Sequence, residues 1–251
     1  MKGALAAYFD AVTGILEEVR NTQADGLEQL AQLLARAITD KGAIFTFGCN
    51  HAGLLAQELF YRSGGLVTVN CIRAPGLCLD VDPPTLTSAM ERLPDYGRDI
   101  VAGYPIKTGD VVIIHSVSGR NTVTVDVALA AREAGATVVA LTNLRTAGAV
   151  PSRHPGGKNL HQVSQLVLDN CGHYGDAALQ LEGLPQPVAP TSTAVGAVML
   201  NAAVARCVEL LLEQGVTPPV FLSANVPQGD AHNEDVMGRY QDQIFYNMRR
   251  D

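Results

Sequence analysis

Four apolar residues in succession, Val111 to Ile114, lead through His115 into Ser116-Val117-Ser118-Gly119-Arg120-Asn121-Thr122, and a helical pattern begins at once. A strand that is apolar at every position, and not at alternate ones, has both faces covered. It therefore belongs inside a parallel sheet held between layers of helix. The turn that follows gathers Ser116, Ser118, Gly119, Asn121 and Thr122, all small groups suited to holding an oxyanion. Unpaired N–H groups at the start of the next helix, and the positive end of its dipole, add to those donors without any lysine. Ordinary capping of a helix by Ser or Asn explains the same hydroxyls, so this segment alone leaves both readings open.

The rest of the chain supplies the layers. Leu5, Phe9, Val12, Ile15, Leu16 and Val19, then Leu27, Leu30, Leu33, Leu34 and Ile38, recur at helical spacing, which predicts two helices within 1–40. After Gly42 a strand is expected over 43–47. The loop Gly48-Cys49-Asn50-His51-Ala52-Gly53 and a helix over 54–62 follow. Further strands are expected at 66–70, 110–115, 137–141 and 165–168, with a helix over 123–134. Strands alternating with helices imply a parallel sheet whose ligands bind beyond the carboxyl ends of the strands. Gly48, Asn50 and the 116–122 loop all lie at that edge.

Residues 72–105 break the rhythm with Pro75, Pro83, Pro84, Pro94 and Pro105, and read as an insertion that covers the site or contacts another subunit. A hydroxyl-rich N-cap signal at 191–193 precedes a long helix over 195–212, so Ser192 and Thr193 can reach the same anion. The 215–251 segment is polar, without helical period over 225–233. With 47% hydrophobic residues, the 251-residue chain reads as one domain over 1–251.

A net charge of -7 with no Lys/Arg run offers nothing to nucleic acid or to anionic lipid. The first 20 residues carry Asp10, Glu17, Glu18 and Arg20 and lack a signal-peptide pattern, and no uncharged apolar span suggests a membrane helix. Five cysteines, an odd number with no C-x-x-C pair, suit free thiols, and a cytoplasmic location is expected. The 48–53 loop lacks a G-x-G opening, which argues against a dinucleotide cofactor. No cofactor is expected.

Taken together, Glu58-Leu-Phe-Tyr-Arg-Ser-Gly-Gly65, Ser116-Val-Ser-Gly-Arg-Asn121, His154-Pro-Gly-Gly-Lys158, Asp169-Asn-Cys-Gly172, Gly175-Asp176, Pro190-Thr-Ser-Thr193 and Asn225-Val-Pro-Gln-Gly-Asp-Ala-His-Asn233 resemble the sugar isomerase (SIS) domain. The whole chain looks closest to a bacterial group of SIS proteins of about this length, and more distantly to phosphoheptose isomerase. The resemblance implies an α/β fold: a Rossmann-like three-layer sandwich with a five-stranded parallel sheet flanked by helices, here with two additional N-terminal helices. It also implies a phosphorylated sugar as ligand, cradled by Ser116, Ser118, Asn121 and Thr122 and joined by Ser192 and Thr193. The SIS loop after the first strand usually carries Ser or Thr. Cys49, Asn50 and Ala52 stand there around His51, so that loop is expected to touch sugar more than phosphate.

Aldose to ketose interconversion needs a base that moves a proton between neighbouring carbons and an acid that assists ring opening. Glu58 matches a functional helix glutamate of phosphoheptose isomerases and is the expected base, while a solvated surface glutamate is the plain alternative. His51 and His232 are the acid candidates, since imidazole titrates near neutrality. In SIS proteins such residues often come from the neighbouring subunit, so a homodimer or a dimer of dimers is expected. Phosphoheptose isomerases that use zinc carry a histidine four residues before the glutamate. Leu54 occupies that place, and no metal is expected. The same fold also supports a lyase or etherase acting on amino sugar phosphates, and non-catalytic phosphosugar-binding regulatory modules.

Overall fold

In the computed structural model, which describes residues 2–246, α1 (Gly3–Thr22) and α2 (Ala24–Thr39) precede β1 (Ile44–Gly48) and α3 (Ala52–Glu58). β2 (Val69–Cys71) leads into the insertion, which holds α4 (Leu86–Met90) and α5 (Tyr96–Ala102). Then come β3 (Val111–His115), α6 (Thr122–Glu133), β4 (Thr137–Thr142), α7 (Leu144–Ala149), α8 (Leu160–Val163) and β5 (Leu166–Asp169). A small hairpin of β6 (Ala177–Leu179) and β7 (Val188–Pro190) precedes α9 (Ser192–Glu213) and α10 (Gly229–Arg239).

The five-stranded sheet runs β2-β1-β3-β4-β5, parallel throughout, as the alternation of elements predicts. Along each strand successive side chains serve opposite layers. Ile44, Val111, Ile113, Val139 and Leu141 pack against α1, α2, α3 and α9, whereas Phe45, Phe47, Val112, Ile114 and Val138 pack against α5, α6 and α8. This is why the strand at 111–114 shows no alternation. Asp110 clasps its start: the carboxylate accepts the N–H groups of Ala43 (2.7 Å) and Lys107 (2.8 Å), tying β1 to β3 before either begins.

Three expectations change. The helix expected over 54–62 is α3, which starts two residues earlier and stops at Glu58, because Tyr61 adopts a left-handed φ of 47° that no helix continues through. The strand expected at 66–70 is only partly in the sheet. Leu66 bridges Val220 in antiparallel fashion and the Val67 N–H bonds to Pro219 O (2.8 Å), so this stretch pairs with the C-terminal segment. That segment, expected to lack helix over 225–233, forms α10 from Gly229. Its Val236 and Met237 close on Val67 and Phe221, too few apolar contacts to write a period into the sequence. The expected 215–251 segment extends past the described residues at 247–251.

Among the described residues, α9 alone has the length and composition of a membrane span. Its Val195, Met199, Leu200, Ala203, Val204, Cys207 and Leu211 are nevertheless buried in the layer shared with α1, α2 and α3, as in the core helix of an α/β domain.

The insertion is fastened to α6. Gly97 on α5 lies so close that a Cβ there would strike the Asp126 side chain and approach the Val127 amide to 2.8 Å, and Arg98 forks onto Glu133 at 2.6 and 2.9 Å. Gly97→Ala is expected to destabilise the protein by about 1–3 kcal/mol through overpacking, read from urea midpoints. An unchanged midpoint would show that α5 docks loosely.

His115, the last residue of β3, is 3% exposed; its Nδ1 lies 3.3 Å from Ala52 O and its Nε2 has no partner among the described residues. Burial drives its pKa down from 6.5 to about 4, so the native imidazole is neutral while an unfolded one gains a proton below 6.5. The sign follows: this contribution is complete above pH 6.5 and is lost as pH falls towards 4, about 3 kcal/mol in all for that shift. His115→Gln should flatten the acid limb of the stability profile between those values, and an unaltered slope in denaturant titrations across pH would contradict it.

Candidate functional site

Two strand-to-helix turns meet at the carboxyl edge of the sheet. In the first, Gly48 abuts Ala52 so closely that any Cβ would strike its carbonyl, and Asn50 turns the chain at φ 55° with its N–H on Leu77 O (2.8 Å). His51 is the exposed N-cap residue of α3 and its side chain caps nothing. In the second turn, Ser116 Oγ accepts the Gly119 N–H at 3.2 Å. The Thr142 hydroxyl contacts the carbonyls of Ser116 and Val117 at 2.7 and 3.1 Å. Gly119 takes φ 60° with Leu160 against it, the Leu160 N–H donating to Gly119 O (2.8 Å). The loop is thus held in shape from β4 and α8 before any ligand arrives.

Asn121 is the N-cap residue of α6, yet its side chain does not cap the helix; its Oδ1 accepts from Arg153 Nη1 at 2.8 Å. The buried Thr122 donates its hydroxyl to Arg153 O (3.2 Å). The Ser118 hydroxyl is half-buried and, among the described residues, unengaged. At the start of α9, Asp176 accepts the N–H groups of Thr191 (3.1 Å) and Ser192 (2.7 Å) and the Ser192 hydroxyl (2.7 Å). A carboxylate therefore already caps that helix and holds Ser192, leaving Thr193 as the half-buried hydroxyl beside it.

The expected acid and base residues do not share this edge. Glu58 ends α3, six residues past Ala52, about 9 Å of helical rise away from the turns. Its carboxylate pairs with Arg62 and lies 3.4 Å from Asn201 Nδ2 on α9. His232 sits on α10 with Nε2 3.0 Å from Val220 O, on the far flank of β2. Arg62 and Tyr61 form one wall of an open groove of about 1130 Å³ whose other wall includes Asn225, Asp230 and Asn233. Glu58 thus borders the C-terminal segment through Arg62, while Gly48, Asn50, His51 and the 116–122 loop gather at the sheet's end.

Residues the sequence did not single out complete that end. The Glu91 carbonyl, from the insertion, accepts the Val123 N–H in the first turn of α6 (3.1 Å). Burial pushes the Glu91 carboxyl above its usual range, against the opposing pull of the Asn121 and Asn50 side chains and of Arg92 and Arg153. Arg153 is tied to the loop a second time by its N–H on Arg120 O (2.8 Å); partial desolvation, and then the charges of Arg120 and Arg92, lower its pKa. Behind them, Asn143 Nδ2 bonds Asn170 Oδ1 and Gly172 O, each at 2.8 Å, and its Oδ1 accepts the Thr146 N–H at 2.7 Å, so buried amides set the loops after β4 and β5. Arg120 lies inside the 116–122 motif and Arg153 just before the 154–158 motif; only their meeting was invisible in one dimension. Among the described residues no three of His, Cys, Asp and Glu converge as metal ligands, and Asp169 is used on the N–H groups of Leu144 and Cys171 (3.0 Å each).

Against known proteins, the SIS domain family model matches residues 7–143. A UPF0309 protein of Shouchella clausii is 45% identical over 239 residues, 95% of this chain and 97% of that one. Among solved structures, a phosphoheptose isomerase from Francisella tularensis superposes with a TM-score of 0.53 at 15% identity, covering 81% of this chain and 95% of its own. A protein of Escherichia coli CFT073, solved in complex with a phosphosugar, superposes with a TM-score of 0.51 at 18% identity, covering 82% and 88%. The structural likenesses speak to the fold, and the sequence matches settle the relationship: the chain belongs to the SIS domain family.

Proposed function

We propose that this protein binds a phosphorylated sugar at the β3–α6 turn and interconverts its aldose and ketose forms by proton transfer through an enediol. The observation that carries the reading is the turn itself: Ser116 and Ser118 stand before the N-terminus of a 12-residue helix, in a loop braced by Thr142 and Leu160. Amides, hydroxyls and dipole converge there on one oxyanion, with Asn50 and Thr193 at the margins. The phosphosugar held by the Escherichia coli neighbour supports a ligand of that class.

Glu58 is the proposed base. A sugar whose phosphate rests on the β3–α6 turn must extend along α3 to reach it, so the reacting carbons lie away from the phosphate. Arg62 holds the Glu58 carboxylate ionised, as a proton acceptor requires. His51 and His232 are the candidate acids, His232 from a two-fold related copy. Support for such a copy comes from Leu5 and Phe9 of α1, 61% and 53% exposed, and from Leu54 and Val198, exposed on the same helical layer. Five free cysteines fit a reducing cytoplasm.

A thermal-shift series of sugars and their phosphates tests the binding: a ligand at 100 times its Kd should stabilise by about 2.7 kcal/mol, and only phosphorylated sugars should do so. Ser118→Ala should weaken that binding by about 1–3 kcal/mol, one charge-assisted hydrogen bond. Equal affinity for a sugar and its phosphate would remove the turn from the site. Glu58→Gln should bind as before yet lose exchange of the substrate's carbon-bound proton with solvent deuterium, and undiminished exchange would place the base elsewhere. An active monomer in sedimentation and kinetic measurements would exclude a contribution from a second copy.

A further inference from the structure

Arg92, Arg120 and Arg153 come to one place from three separate segments: the insertion, the β3–α6 turn and the loop before α8. The charges of the first two bear directly on the third. Their positions are fixed by the hydrogen bonds that tie each segment to the first turn of α6. Residue 91 caps Val123, the Arg153 backbone meets Arg120 and Thr122, and the Arg153 side chain meets Asn121. Among the described residues none of the three is within 4.0 Å of a carboxylate oxygen, unlike Arg62, Arg98, Arg206 and Arg239. The Arg120 Nε is buried and, among the described residues, without a partner, a donor left open at the centre of the group.

Gathering like charges is unfavourable unless something of opposite sign is held there. Glu91 is the carboxylate that faces them, and one negative charge against three positive ones leaves an excess of two. The chain as a whole is acidic, at -7, so this is a local exception to its charge. The phosphate seat does not account for it. Ser116 turns its hydroxyl onto the Gly119 N–H within the loop, whereas Arg153 reaches the loop at Asn121, and the segment carrying Glu91 and Arg92 meets Val123 beyond its end. With the Val123 N–H already on Glu91 O, the helix amide on that outer side is taken.

We propose that the ligand of this protein carries two separated acidic groups: a phosphate on the β3–α6 turn, and a carboxylate or second phosphate seated on Arg92, Arg120 and Arg153. The inference rests on the phosphosugar reading above and narrows it to sugar phosphates with a second acidic group. Guanidinium is the group suited to this task, since its planar fork meets a carboxylate or phosphate through paired hydrogen bonds.

Calorimetric titration of the full chain with glucose 6-phosphate, 6-phosphogluconate and fructose 1,6-bisphosphate tests it. The singly phosphorylated sugar should bind more weakly than at least one of the other two by about tenfold or more, and which of the two binds tighter tells carboxylate from phosphate. Arg153→Gln should remove that advantage and leave glucose 6-phosphate affinity within about twofold. Arg92→Gln, at an exposed position, should remove part of the advantage and cannot be confused with misfolding. Equal binding of all three ligands, or equal loss for all three in the arginine variants, would overturn the second subsite while leaving the phosphate seat standing. Binding of none of them would instead count against the phosphosugar reading.

Discussion

Parallel pairing between β1 and β3, residue for residue from Ile44 opposite Val111 to Gly48 opposite His115, decides where the other parts of this molecule can be. Because the two strands end at the same level, their turns open side by side, and the helices that return from them must leave in the same direction. The pairing is secured from below by the Asp110 carboxylate, which collects N–H groups from Ala43 and Lys107. Both faces of the pair are dry, so neither strand can slip by a residue without exchanging Phe45 and Ile44 between two differently shaped layers.

That constraint explains which parts were legible in the sequence. Strands buried on both faces leave unbroken apolar runs, and 111–115, 137–141 and 165–168 were readable to within a residue or so. α1, α2 and α9 were readable because each buries one stripe against the sheet or a neighbouring helix. The short helices α5, α7 and α8 and the β6–β7 hairpin were not, since each is fixed by tertiary bonds and has too few residues to show a period. The same holds for 66–70, where a strong β pattern is shared between the sheet and the C-terminal segment.

The site divides in the same way. Its local part, the hydroxyls and glycines of the 116–122 turn and the Gly48–Asn50 corner, could be read because one turn of chain holds it. Its non-local part could not. No spacing rule connects Glu91 with Val123, Asp176 with Ser192, or Arg153 with Asn121, although each pair sits within hydrogen-bond distance. His115 is similar: as a residue in a strand it looks ordinary, and only the fold shows that its ring is sealed and neutral.

The insertion over 72–105 brings Glu91 and Arg92 to the mouth of the turn on a path containing Pro75, Pro83, Pro84, Pro94 and Pro105. Each proline restricts the backbone, so fewer conformations are lost when the segment settles. Docked through Gly97 and the Arg98–Glu133 fork, that path works as a stiff bracket more than as a lid. A floppy arm carrying the same charges would have to be ordered anew by every ligand it met. A bracket completes that ordering once, at folding, so the strength of recognition at this edge is inherited from the stability of the domain itself.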